Sequence, residues 1–203
     1  MEQTRKELIR NLIERMEHME AQVKSEFLHQ PEEVLMTRPA PAKWSIGEVA
    51  AHTTLVMSIY LANIKEGMRA NDQGDQAKPY RMGFNGRMMV KMLAPKNGKV
   101  KWKVPTFGNM VPPREESYRP SEHVDDLLTT LRNFREVIQE CGNYDLNRVK
   151  VASAIGRIIR FRLGDAIQVI AAHNERHLVQ MNEVLAVTCP AMQLHTGARQ
   201  EVS

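Results

Sequence analysis

The sequence predicts a mainly α-helical fold. Apolar residues recur at steps of three and four in several long stretches, which is the spacing of one face of an α-helix. Only 5% of the 203 residues are aromatic, whereas 13 are methionine, a flexible side chain that suits helix–helix packing. Alternating β-branched runs, which would predict strands, are scarce. The length is sufficient for one domain with a sizeable core, and we expect that domain to span residues 1–187.

The first helix is predicted over residues 2–29. Its core face consists of apolar residues at helical spacing, namely Leu8, Leu12, Met16, Met19, Val23 and Phe27. Residues 30–43 are predicted to form a loop because Pro31, Pro39 and Pro41 interrupt them.

A capping motif defines the start of the second helix. Ser45 can cap this helix, and Glu48 three residues later completes a capping box. Trp44, just before the cap, is placed to pack on Val49 as a hydrophobic staple. This start fixes the register of the helix and puts His52 at the edge of its buried face, near the second turn.

Residues 71–120 form a long connection between the second and third helices. Six prolines divide it, and a short helix is predicted over Phe84–Leu93. A connection of this length inside a compact domain is usually either functional or disordered. Because it contains Trp102, Phe107 and several methionines, we expect it to be ordered in part, to cover one end of the helices and to wall a substrate pocket.

The third helix is predicted from Ser121, a good cap after Pro120, to Cys141, and Gly142 ends it. Residues 143–164 are basic and partly β-branched. We predict that they form a connection with room for one helical turn.

The fourth helix, predicted over residues 165–187, carries the main candidate functional residues. His173 and His177 stack on one helical face, roughly 6 Å apart and close to the apolar stripe. Half-buried imidazoles are costly unless their nitrogens are satisfied, and a divalent metal ion satisfies them well. The alternative is a pair of hydrogen-bonded or surface histidines. His52 is the candidate third ligand, because inward residues of two helices can meet at one level of a bundle. Its alternative is a core histidine bonded to a carbonyl.

The net charge of +4 is unevenly distributed. Residues 71–120 hold ten Lys or Arg against four Asp or Glu, and residues 148–162 hold five against none. These stretches together carry +11, so the remainder carries −7. Such basic stretches are either solvated surface or a site for an anionic small molecule or nucleic acid. The sequence contains no nucleic-acid-binding motif and few aromatics, which disfavours a nucleic-acid partner.

The sequence indicates a cytoplasmic protein. Cys141 and Cys189 are too few for a disulfide framework and fit a reducing compartment. The opening residues 1–10 are charged, unlike a signal peptide, and no apolar run approaches 18 residues. We therefore expect no membrane partner. The C-terminal tail, residues 188–203, is expected to be frayed.

Two sequence patterns resemble one known family. They are Trp44-Ser45-Ile46-Gly47-Glu48-Val49, which leads to His52, and His173-x-x-Arg176-His177-x-x-Gln180. In this order and at this separation they resemble the DinB-like (YfiT-type) metal-binding proteins, over roughly residues 5–187. The resemblance implies a four-helix bundle with a long crossover between helices two and three. It also implies that His52, His173 and His177 bind nickel, zinc or a similar divalent ion.

The resemblance further implies thiol-dependent chemistry. Family members with known activity are S-transferases that use bacillithiol-type cofactors and a mycothiol-dependent isomerase. We therefore predict a transferase that acts on a small-molecule electrophile with a low-molecular-weight thiol. A metal-dependent hydrolase and a non-catalytic metal- or ligand-binding protein are the alternatives, and the sequence is compatible with a homodimer.

Glu48 is the candidate catalytic residue. It precedes His52 by one turn, so its carboxylate could orient that ring or act as a base. The capping box with Ser45 competes for the same carboxylate.

Overall fold

Most of the chain that the structure describes is α-helical. The computed structural model describes residues 4–71, 79–100, 106, 108–112 and 119–189. Within these ranges it contains α1 (Arg5–Glu26), α2 (Glu32–Met36), α3 (Ile46–Arg69), α4 (Phe84–Leu93), a 3₁₀ turn (Gly108–Met110), α5 (Pro120–Cys141), β1 (Lys150–Ser153), β2 (Gly156–Arg162) and α6 (Leu163–Thr188). The predicted mainly helical class is confirmed, with a small two-stranded sheet in addition.

The four long helices are those that the hydrophobic periodicity predicts. α3 packs against α5 and α6, and α1 also packs against α5 and α6. Their inward side chains form one hydrophobic core, which includes the fully buried Phe27, Met57 and Phe134. The bundle topology implied by the resemblance stays a prediction. No described helix combines the length and the apolar character needed to cross a membrane.

Capping boxes fix the first residues of α1 and α3. In α1 the box is formed by Thr4 and Glu7. In α3 the Glu48 amide donates to the Ser45 hydroxyl at 3.3 Å, and the Glu48 carboxylate accepts from the Ser45 amide at 2.9 Å. The predicted box in α3 is therefore confirmed. It sets which residues of α3 point inward, and His52 is one of them.

Ser45→Ala is expected to lower the free energy of unfolding by about 1 kcal/mol, because the Glu48 amide loses its acceptor. Metal affinity should also weaken, since His52 follows on the same helix. Urea unfolding of the metal-free protein measures the first effect. Ser58→Ala is the matched control. Ser58 is exposed to solvent and lies in the middle of α3, where alanine is the better helix former, so this substitution should not lower the free energy of unfolding. Equal unfolding free energies for wild type and Ser45→Ala would contradict the cap.

The prediction for residues 143–164 is wrong, because most of this segment forms a β-hairpin. β1 and β2 pair antiparallel with Val151 opposite Phe161, and both of these side chains are buried. The hairpin is tied to α3, since the Asn63 side chain donates to the Ala152 carbonyl at 3.0 Å. The two strands have only four and seven residues. An alternation of apolar and polar residues over so short a stretch is hard to recognise in a segment rich in basic residues.

Two further local predictions are corrected. Ser121 does not cap α5: the helix begins at Pro120, whose fixed φ suits the first helical position, and the Ser121 hydroxyl donates to the Glu32 carboxylate. Glu32 belongs to α2, a five-residue helix within residues 30–43, which were predicted to be a loop. Two glutamates in its first turn favour this helix through the helix dipole.

Residues 79–100, the first described part of the crossover, pack against α6 and are hydrogen-bonded to it. α4 has the predicted bounds and packs against α6. Just before α4, the Tyr80 hydroxyl donates to the Asp165 carboxylate at 2.5 Å, and the Gly83 amide donates to the same oxygen at 3.0 Å. A Cβ atom at Gly86 would lie 2.5 Å from Cγ of Asp165, so this close approach requires glycine.

Some expectations concern residues outside the described ranges. Trp102 and Phe107, which were expected to help order the crossover, are two of them. Most of the predicted tail, residues 190–203, also lies outside. α6 ends at Thr188, the residue at which the tail was predicted to begin.

Candidate metal centre

The three predicted ligands meet between α3 and α6. His52 lies in the second turn of α3, and His173 and His177 lie on successive turns of α6. The ring centroids are 5.3 Å apart for His52 and His173, 4.7 Å for His52 and His177, and 4.4 Å for His173 and His177. One potential ligand nitrogen from each residue lies within 4.8 Å of the other two. These three residues form the histidine cluster.

The surroundings of the histidine cluster fit a metal ion. The side chains of His52 and His177 are buried, and His173 is partly buried. The Nδ1 atom of His173 is itself inaccessible to solvent and has no hydrogen-bond partner within the described part of the chain. An unsatisfied buried polar atom costs about 1–3 kcal/mol. A cation bound at that atom would remove this cost.

Burial keeps the three imidazoles neutral. It is the main cause that lowers the pKa of His173 to about 3, and the neighbouring His52 ring adds to the effect. Burial also lowers the pKa of His177 well below its usual value, again with help from the adjacent imidazoles. The pKa of His52 is lowered by burial as well. Neutral imidazole is the form that binds a metal ion, so the cluster is ready for one at neutral pH.

Two of the rings are held by hydrogen bonds at the nitrogen Nδ1. Nδ1 of His52 lies 2.7 Å from the carbonyl oxygen of Met110, in the 3₁₀ turn. Nδ1 of His177 lies 3.0 Å from Oε1 of Gln180, one turn further along α6. The Trp44 ring packs against His52, with the ring centroids 4.8 Å apart. Gln180 belongs to the second of the two sequence patterns, whereas Met110 acts through its backbone, which no side-chain pattern reveals.

The comparison with protein families agrees with this geometry. A family model described as the DinB superfamily matches residues 2–181. The chain belongs to the DinB superfamily. No curated protein and no solved structure matches it. The resemblance drawn from the two histidine patterns is therefore confirmed, and membership together with the histidine cluster fits metal binding.

In this DinB superfamily protein, the Glu48 carboxylate is hydrogen-bonded to two residues outside the histidine cluster, Ser45 and Arg38. It accepts from the Ser45 amide, and both of its oxygens accept from the Arg38 guanidinium, with Nε of Arg38 at 2.8 Å. This geometry favours the capping role, and the catalytic role of Glu48 stays a prediction. Arg38 lies in the segment predicted to be a loop, and no pattern in the sequence indicates that it pairs with Glu48.

A large cleft lies on the other side of α6 from the histidine cluster. Its volume is about 720 Å³, and it runs between α1, α6 and the turn that follows α4. At its edge the Arg15 guanidinium donates to the Glu175 carboxylate at 2.6 Å. The cleft shares no lining residue with the cluster, so it is not the pocket that would serve this site in the DinB superfamily protein.

Proposed function

We propose that the protein is a divalent-metal-dependent enzyme that transfers a low-molecular-weight thiol to a small electrophile. The observation that carries this proposal is the histidine cluster, in which three neutral imidazoles from two helices converge. Sites with three protein ligands keep a coordination position open for water or substrate, which is the pattern of catalytic rather than structural metal sites.

The proposed ligands are His52, His173 and His177, and one ion is expected per chain. An all-imidazole set suits zinc or nickel. A divalent cation held by neutral ligands keeps its full charge and lowers the pKa of a water or thiol that it binds.

The chain's own residues set the conditions for this chemistry. Burial limits water around His52 and His177 and keeps the rings uncharged, so that they do not repel a cation. In the proposed reaction the thiol loses its proton to solvent, and its sulfur forms a bond to the electrophilic carbon. The bond from that carbon to the leaving group breaks, and the leaving group departs with the electron pair.

A cytoplasmic location is part of the proposal. Low-molecular-weight thiols stay reduced in such a compartment, and neither Cys141 nor Cys189 forms a disulfide in the structure.

The cobalt-substituted protein tests this function. Addition of a low-molecular-weight thiol near neutral pH is expected to change the visible cobalt spectrum, because the thiol should enter an open coordination position with a pKa below its free value of about 8.5. Consumption of an electrophile should then require both metal and thiol, and it should be lost in His52→Ala.

Other results would support a different function. Hydrolysis of an ester or amide without thiol would indicate a metal-dependent hydrolase. Thiol binding without turnover of a broad set of electrophiles would indicate a binding protein. A cobalt spectrum that no thiol changes would rule out the transferase.

A further inference from the structure

Two of the three rings in the histidine cluster have a defined proton position. The Met110 carbonyl can only accept a hydrogen bond, so the nitrogen Nδ1 of His52, 2.7 Å away, must donate. The Oε1 atom of Gln180 is likewise an acceptor, which gives Nδ1 of His177 the donor role. In a neutral imidazole one nitrogen carries the proton and the other carries the lone pair. The lone pair therefore lies on Nε2 in both rings.

Both acceptors are themselves held in place by the fold. The Met110 side chain is buried, and the 3₁₀ turn that contains it packs against α3, where His52 is located. Gln180 lies three residues after His177 on α6, so the helix itself sets the distance between the two side chains. The Trp44 ring also packs against the His52 ring, at a centroid distance of 4.8 Å.

We infer that Gln180 and the Met110 carbonyl are positioning groups that select Nε2 of His177 and Nε2 of His52 as the metal-coordinating atoms. This inference rests on the metal site of the proposed function, not on its thiol chemistry. Metal-ligating histidines commonly donate their second ring N–H to an acceptor, which fixes the ring and raises the basicity of the ligating nitrogen. His173 differs from the other two rings, because its Nδ1 atom has no such partner within the described residues.

Substitution of Gln180 separates positioning from packing. Gln180→Leu keeps a side chain of similar size but removes the acceptor, and it is expected to weaken zinc binding by about 10–100-fold. Gln180→Glu keeps an acceptor at the same place and should bind zinc at least as tightly as the wild type. Asn182→Leu is the matched control: it also replaces a half-buried amide of α6 by leucine, but Asn182 lines the cleft on the opposite side of the helix.

Two measurements on the purified full-length protein test the inference. Chelator competition gives the zinc affinity of the wild type and of the three variants. The ¹⁵N chemical shifts of the imidazole nitrogens in the metal-free protein at pH 7 report which nitrogen carries the proton. The wild type should show His52 and His177 protonated on Nδ1, and Gln180→Leu should lose this preference at His177 only.

The inference is overturned if Gln180→Leu binds zinc within about threefold of the wild type, well short of the 10–100-fold loss expected for such a partner. It is also overturned if His177 of the metal-free wild type carries its proton on Nε2, or if Asn182→Leu weakens zinc binding as much as Gln180→Leu. Zinc binding with the expected proton positions but without thiol turnover would leave this inference standing and remove the transferase proposal. A wild type that binds neither zinc, nickel nor cobalt would overturn both.

Discussion

Alanine at His173 or at His177 is expected to abolish stable metal binding. Wild-type protein purified without a metal-affinity tag should carry close to one divalent transition ion per chain, because the histidine cluster is the one candidate metal site among the described residues. Loss of a partner outside the ligand set commonly costs about 10–100-fold in affinity, so loss of a ligand should cost at least about 100-fold. Elemental analysis of the purified variants measures the retained metal.

The fold should survive these substitutions. The long helices share a hydrophobic core that includes Leu12 and Ile138, and this core does not depend on a bound ion as a zinc finger does. Circular dichroism of His173→Ala and His177→Ala should therefore stay helical. His29→Ala is the control, because His29 is exposed beyond the end of α1 and should leave the metal content unchanged. Full metal retention in both cluster variants would rule out the site.

The features predicted correctly from the sequence are those with a local cause. The capping box of Ser45 and Glu48 needs only the residues of one turn, and it fixed the register that brings His52 inward. The i, i+4 spacing placed His173 and His177 on one face by helix geometry alone. The short helix α4 was also found from its own apolar face.

The features that were missed depend on distant partners. The hairpin of β1 and β2 is stabilised by contacts with α3, such as the hydrogen bond between Asn63 and Ala152, that no pattern within the hairpin contains. The hydrogen bond between His52 and the Met110 carbonyl links two residues that are 58 positions apart in the chain, and one of its atoms belongs to the backbone. Local periodicity does not carry such information, so tertiary structure was needed to find these groups.

The metal-free protein is expected to lose stability as the pH falls from 7 to 5. Burial lowers the pKa of His173 to about 3 in the folded protein, whereas an unfolded histidine has a pKa near 6.5. The unfolded state therefore binds the proton first, so the stability is complete above about pH 6.5 and is lost progressively as the pH falls towards the folded pKa. At pH 5 the free energy of unfolding is expected to be lower than at pH 7 by about 2 kcal/mol through His173 alone. The lowered pKa values of His177 and His52 add losses of the same sign.

Urea unfolding of the chelator-treated protein at pH 7 and pH 5 measures this loss. His173→Gln is the matched variant, because its neutral amide cannot take up a proton. Its loss of unfolding free energy between the two pH values should be smaller than that of the wild type by about 2 kcal/mol, the share that His173 contributes. Zinc should offset part of the wild-type loss, since it binds the folded state and competes with protons for the imidazoles. Equal pH dependence in the wild type and His173→Gln would show that His173 takes up its proton as readily in the folded protein as in the unfolded one, and it would contradict the lowered pKa of His173.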